Sequence, residues 1–250
     1  MSEINEELNK EINKEIEVAE NSKEADEALF LEKLSEKRKD DPLVGVKIGS
    51  EDIYKSLMLI ARDDKNVVNI HDVALYAAGL AGYSCQAAVM ETQIIRDKKA
   101  FNEVFHLIVS PSGDKFIFGD AINDYLFGNK HSVWNMLKGM YKYMYPKIGI
   151  PAVSPIIKKV TANIVNPDYK VCGEHTPNAL SEMYALIWKN IYPKMRNYCP
   201  NPEEWPVLYS MVLQKAFAQT KGMLDPHIAI SFMMEAAIFA SKADLGSKGM

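Results

Sequence analysis

Val73 to Met90 read VALYAAGLAGYSCQAAVM, eighteen residues without a charge. A run of that length can span a bilayer, and it suits the central helix of a water-soluble domain equally well. Its small residues favour the second reading. Ala74, Ala78, Ala81, Cys85 and Ala88 recur at spacings of four, three, four and three. This is a heptad-like seam with almost no side chain, against which a neighbouring helix can lie closely. Leu75, Gly79, Gly82 and Gln86 flank it. Two glycines, Ser84 and Gln86 lower the hydropathy, no Lys or Arg follows before Arg96, and no second apolar stretch of that length is present to pair with it. We therefore expect a buried helix in a protein without a membrane span. Asn69 and Asp72 form a capping box at its start.

Outward from this helix, the chain divides by composition. Residues 1–41 hold 14 acidic and 7 basic side chains, net −7, so the remainder carries +3 of the overall −4. Ile4, Leu8, Ile12 and Ile16 recur every four residues, which predicts a charged arm, helical or frayed, with one apolar stripe too narrow to hold a free helix firmly in water. Asp41-Pro42 ends the arm, because the residue before a proline avoids the helical region. The expected organisation is an N-terminal arm, 1–41, and one helix-rich globular domain, 42–250. The arm's stripe is a candidate for self-association or for a protein partner. A body of +3 with no basic cluster does not suit nucleic acid.

The body reads as capped helices around one hairpin. Ser154-Pro155, Thr176-Pro177, Asn201-Pro202 and Asp225-Pro226 each place a capping oxygen before a proline at the first helical position. Ser50 and Ser132 open further helices, Pro193 should end or kink another, and Gly222 suits a left-handed cap. Val104 to Phe118, VFHLIVSPSGDKFIF, alternates on both sides of a Pro-Ser-Gly-Asp turn, which is hairpin chemistry. A lone hairpin is marginal, and the alternating Leu43 to Ile48 is the candidate third strand. The fold class expected is predominantly helical α+β, a multi-helix domain with a small antiparallel hairpin or three-stranded sheet.

Chemistry is sparsely signalled. Cys85, Cys172 and Cys199 are few and far apart, as in a chain kept reduced in the cytoplasm. Cys172 and His175 make one C-x-x-H half-site, too little for zinc alone. No phosphate loop, G-x-S-x-G or HExxH occurs, so neither a cofactor nor a metal is expected. The candidate catalytic residues are His106 on the first hairpin strand and Asp120 and Asp124 just past the second. The two carboxylates are spaced one helical turn apart, as an acid and base pair or a cation site requires. The expected function is a cytosolic binding or interaction protein. The alternative is a small-molecule or metal-assisted enzyme at the hairpin exit, so the sequence leaves open whether the chain is an enzyme.

Overall fold

The computed structural model describes residue 26 and residues 28–246. Ile4, Leu8, Ile12 and Ile16, the arm's apolar stripe, lie outside them. The chain falls into two compact units, one ending at Gly45 and the other beginning at Val46. In the first, residues 28–38 are helical, and Leu29, Phe30 and Leu31 are exposed. The helix stops before Asp40, and Asp41 then accepts from the Leu43 N–H at 3.1 Å.

Val44–Ile60 form a helix, α1, where alternation over Leu43 to Ile48 predicted a strand. Six alternating residues are outweighed by a longer helical period. Val46, Ser50, Ile53 and Leu57 all point inward and are fully buried. Ser50 therefore lies inside α1 rather than capping it, its hydroxyl donating to Lys47 O at 2.9 Å.

The quoted stretch is α2, Ile70–Val89, extended by a π-helical turn over Met90–Arg96. Asn69 caps it by accepting from the His71 N–H at 3.0 Å. Its apolar window has a mean hydropathy of 1.3, and 83% of that window is buried inside the protein. All five seam residues are fully buried. The covering helices are α8 (Trp205–Gln219) and α9 (Pro226–Ala240), which pack along α2, and α7 (Pro177–Tyr198) also contacts it. The tightest approach is at the flanking glycines rather than at the seam. A methyl group on Gly82 would fall 1.9 Å from Ala237 O, and one on Gly79 would fall 2.1 Å from the Tyr184 ring. Tyr184 completes that corner by donating its hydroxyl to Leu75 O at 3.1 Å.

Between these elements lie α3 (Phe101–Val104), β1 (His106–Val109), β2 (Lys115–Phe118), α4 (Asp120–Asn123), α5 (Val133–Met144) and α6 (Ser154–Asn163). Ser132, Thr176 and Asp225 cap α5, α7 and α9 through their side-chain oxygens. Ser154 instead begins α6, and Asn201-Pro202 opens only a 3₁₀ turn before α8. Pro193 does not stop α7. The buried row Ile187, Ile191 and Met195 carries the helix past it to Tyr198.

The hairpin is antiparallel, pairing His106 with Phe118 and Val109 with Lys115, and Gly113 turns it at φ +88°. Its third member comes from the far end of the described chain. Ile117 N donates to Lys242 O at 2.6 Å, and Asp244 N donates to Lys115 O at 3.1 Å. Gln86 on α2 secures this segment by donating from Nε2 to Ser241 O and Ala243 O. Predominantly helical α+β with a small antiparallel hairpin is thus the architecture.

One buried carboxylate organises α9. Glu235 interrupts an otherwise apolar helix and is 7% exposed. Its Oε1 accepts from the Tyr169 hydroxyl at 2.8 Å and the Cys172 N–H at 3.0 Å, and its Oε2 meets Lys159 Nζ at 2.7 Å. The Glu235 charge and burial together hold the Tyr169 phenol and the Cys172 thiol well above their ordinary values, with burial the larger cause.

Candidate functional site

The hairpin exit is built where β2 runs into α4. An open groove of about 420 Å³ lies there, lined by Gln93, Glu103, His106, Phe118, Asp120 and Asn123 among others. His106 and Asp120 therefore share one groove, and both are exposed. Asp124 is not among its lining residues. It too is exposed, at the start of a π-helical turn over Asp124–Gly128, and its carbonyl accepts twice from Asn129. Asp120 is the first residue of α4, with Gly119 in the cap position, so its side chain is directed to no cap bond. No hydrogen bond joins His106 to Asp120 among the described residues.

Behind the groove sits an amine that the sequence does not flag. Lys242 is 3% exposed, donates to Asn123 Oδ1 at 2.8 Å and lies 5.6 Å from the centre of the Phe118 ring. Burial lowers it to about 8, against the smaller opposing pull of Cys85 and Asp120. Nothing in the local sequence Ala240-Ser-Lys-Ala243 distinguishes it from a surface lysine. Only the pairing of residues 242–244 with β2 draws it inward.

The sign of its pH dependence follows from that lowering. Between pH 8 and the ordinary lysine value of 10.5, the unfolded chain binds more protons at this position than the folded one does. Its contribution to stability therefore rises with pH across that window, and the cost of a buried ammonium is fully present below it. Lys242→Met is expected to raise stability by roughly 1–2 kcal/mol near neutral pH. That advantage should shrink as pH rises from 8 and approach zero only above pH 10.5, read as the difference in urea midpoints between the two proteins.

Cys85, the seam thiol, donates to Ala81 O at 3.3 Å, and complete burial pushes it far above the range of a reactive thiolate. Among the described residues, no three His, Cys, Asp or Glu side chains form a group able to hold a metal ion. Cys172 and His175 accordingly gain no further ligands from Cys199 or His227. His227 Nε2 lies 2.7 Å from Gly149 O instead.

The outer edge of the hairpin is the other notable surface. Residues 115 and 117 of β2 direct their backbone groups to the 242–244 segment, so 116 and 118 are the positions bonded to β1. The N–H and C=O groups of His106 and Ile108 therefore point to β2, while those of Leu107 and Val109 point off the free edge. No backbone partner meets them among the described residues. Leu107, Ile108 and Val109 are 48%, 44% and 55% exposed, and no charge interrupts them. Natural sheet edges are more often blocked by Lys, Pro or a bulge.

No family model, curated protein or solved structure matches this chain.

Proposed function

We propose that this chain is a cytosolic interaction protein that pairs through the free edge of β1, its occupant a second copy of the same strand. The observation that carries the reading is the exposed, uncharged outer edge of Leu107-Ile108-Val109. Its geometry is self-complementary. A two-fold axis beside Ile108 sets Leu107 of one copy against Val109 of the second, and the reverse. That arrangement forms roughly four backbone hydrogen bonds and joins two three-stranded sheets into one. Strand addition of this kind draws affinity from the main chain. An uncharged strand also brings no like charges together when it meets itself.

So short an edge gives a weak association, with a Kd on the order of 0.1 mM. Sedimentation equilibrium across a range of concentrations measures it. Val109→Pro is the informative variant, since it removes an outward N–H that the hairpin does not use. The expected result is a monomer with unchanged circular dichroism. A wild-type protein that stays monomeric at about 1 mM sinks the reading, as does a Val109→Pro protein that still dimerises. The arm's stripe lies outside the described residues, and the edge rather than the arm supports this reading.

A second reading, an enzyme at the hairpin exit, draws support from His106 and Asp120 sharing one groove with the Lys242 amine behind it. It needs a ligand whose stabilisation of the protein against heat disappears in both His106→Gln and Asp120→Asn. A ligand indifferent to both substitutions removes it.

A further inference from the structure

The hairpin and its groove lie at the C-terminal end of α9, where residues 242–244 join β2. The first turn of α9 is about 22 Å away, by the length of the helix, and a different surface is built there. Three turns meet at that end. The turn after α5, residues 145–149, is held through Gly149, whose carbonyl accepts from the Tyr141 hydroxyl at 3.1 Å and lies 2.7 Å from His227 Nε2. Phe217, in the last turn of α8, has its ring centre 6.0 Å from that of Tyr141 and 6.2 Å from that of Tyr145. The turn after α8 reverses at Gly222, φ +80°, with Met223 N donating to Thr220 O at 3.0 Å. It leads into Asp225, the cap of α9.

These turns expose apolar and cationic side chains together. Leu137 and Tyr141 bury one side of α5, which leaves Tyr143, two residues on, 83% exposed. Ile148, Met223 and Ile228 are exposed at the same end. Lys142, Lys147 and Lys221 stand among them, exposed and without an ion-pair partner among the described residues. The one carboxylate in these turns is Asp225, which already accepts from the His227 and Ile228 N–H groups. Between Asp124 and Asp168 the chain holds six Lys and no Asp or Glu. The three lysines are spread from residue 142 to residue 221, so no run of the sequence announces them.

Single exposed apolar side chains are ordinary, and Lys142 alone suits the C-terminus of a helix. Four large apolar side chains on three adjoining turns, interleaved with three unpaired ammonium groups, call for a partner with both properties. An anionic bilayer has them. Its acyl boundary takes the apolar tips, its interface suits a tyrosine, and lysine stems extend far enough to reach anionic head groups. A fluid surface also accepts side chains from separate turns without a shaped groove. Nucleic acid would use the lysines and leave Ile148, Met223 and Ile228 in water. A second copy of this surface would bring lysine against lysine. We propose that this end of the protein docks peripherally on an anionic phospholipid surface, without spanning it.

Cosedimentation of the full chain with phosphatidylcholine vesicles containing about 30% phosphatidylserine tests this, at low ionic strength. Half of the protein is expected to bind below about 1 mM lipid, and vesicles of phosphatidylcholine alone should need at least about tenfold more. Lys142→Gln combined with Lys147→Gln should weaken binding about 20-fold, or about fivefold per lysine. Tyr143→Ser combined with Ile148→Ser should weaken it about tenfold. Lys98→Gln combined with Lys189→Gln provides the control. Both are exposed, one beyond the C-terminal end of α2 and the other on α7, and the pair should change binding less than about twofold. All six positions are exposed, so circular dichroism should be unchanged in each protein. Absence of binding to the phosphatidylserine vesicles, equal binding to phosphatidylcholine alone, or a control pair as damaging as Lys142 and Lys147 overturns the proposal. So does an unaffected Tyr143→Ser, Ile148→Ser protein, because charge alone would then be acting, as it does towards nucleic acid.

Discussion

Gly82→Ala destabilises the protein by roughly 4 kcal/mol or more, enough to leave a typical domain largely unfolded at modest urea concentrations. The ordinary expectation has the opposite sign, because alanine is the better helix former by about 1 kcal/mol. Geometry reverses it. The added methyl would sit 1.9 Å from Ala237 O and 2.6 Å from its carbonyl carbon, both backbone atoms of α9. No side-chain rotation relieves that contact, so α9 as a whole must move away from α2. Such a shift opens the core along the Ala74 to Ala88 seam. Gly139→Ala provides the control. It also lies in a helix, and a methyl there meets nothing within 4 Å. It should stabilise by about 0.5–1 kcal/mol. Urea unfolding followed by circular dichroism measures both, and equal effects at the two positions would refute the packing argument.

Glu235→Ala is expected to cost about 3 kcal/mol, with most of the loss in orphaned partners. The Tyr169 hydroxyl and the Cys172 N–H would keep their burial and lose their acceptor. Lys159 loses less, since its side chain is half exposed and water can replace the carboxylate. Glu235→Gln separates these contributions. A carboxamide oxygen still accepts from Tyr169 and Cys172, so only the ionic pairing goes and the cost should fall to about 1 kcal/mol. If the glutamine variant proves as damaging as the alanine one, the charge rather than the acceptor holds α6, the 169–172 turn and α9 together.

These two positions also show where the sequence was readable and where it was not. Local chemistry was legible. Asn69, Ser132, Thr176 and Asp225 announce helix starts through oxygens that reach backbone groups two or three residues away. Gly113 announces the hairpin turn for the same kind of reason. The small-residue seam on α2 was also visible, and its complete burial follows from it. What the sequence concealed depends on distant partners. Gly82 reads as a flank of that seam until α9 is laid against it. Glu235 reads as a break in an apolar helix until Tyr169 and the Cys172 N–H arrive. Leu43 to Ile48 reads as the third strand because nothing local shows that residues 242–244 take that place. At the hairpin exit, His106 and Asp120 were legible as neighbours across the two strands. Asp124, one turn on, faces elsewhere, and Lys242 was beyond any local pattern.

The distance along the chain between α2 and the residues that shelter it has a consequence for biosynthesis. Gln86 and its acceptor on Ser241 are separated by 155 residues. At a translation rate of about 5–20 residues per second, the nascent α2 waits roughly 10–30 s before α9 emerges. During that interval its alanine-rich surface is bare, and it resembles a segment bound for lipid. Ribosome-associated holdases are therefore the factors on which the yield of this protein should depend most, and slowing elongation upstream of α9 should increase its aggregation.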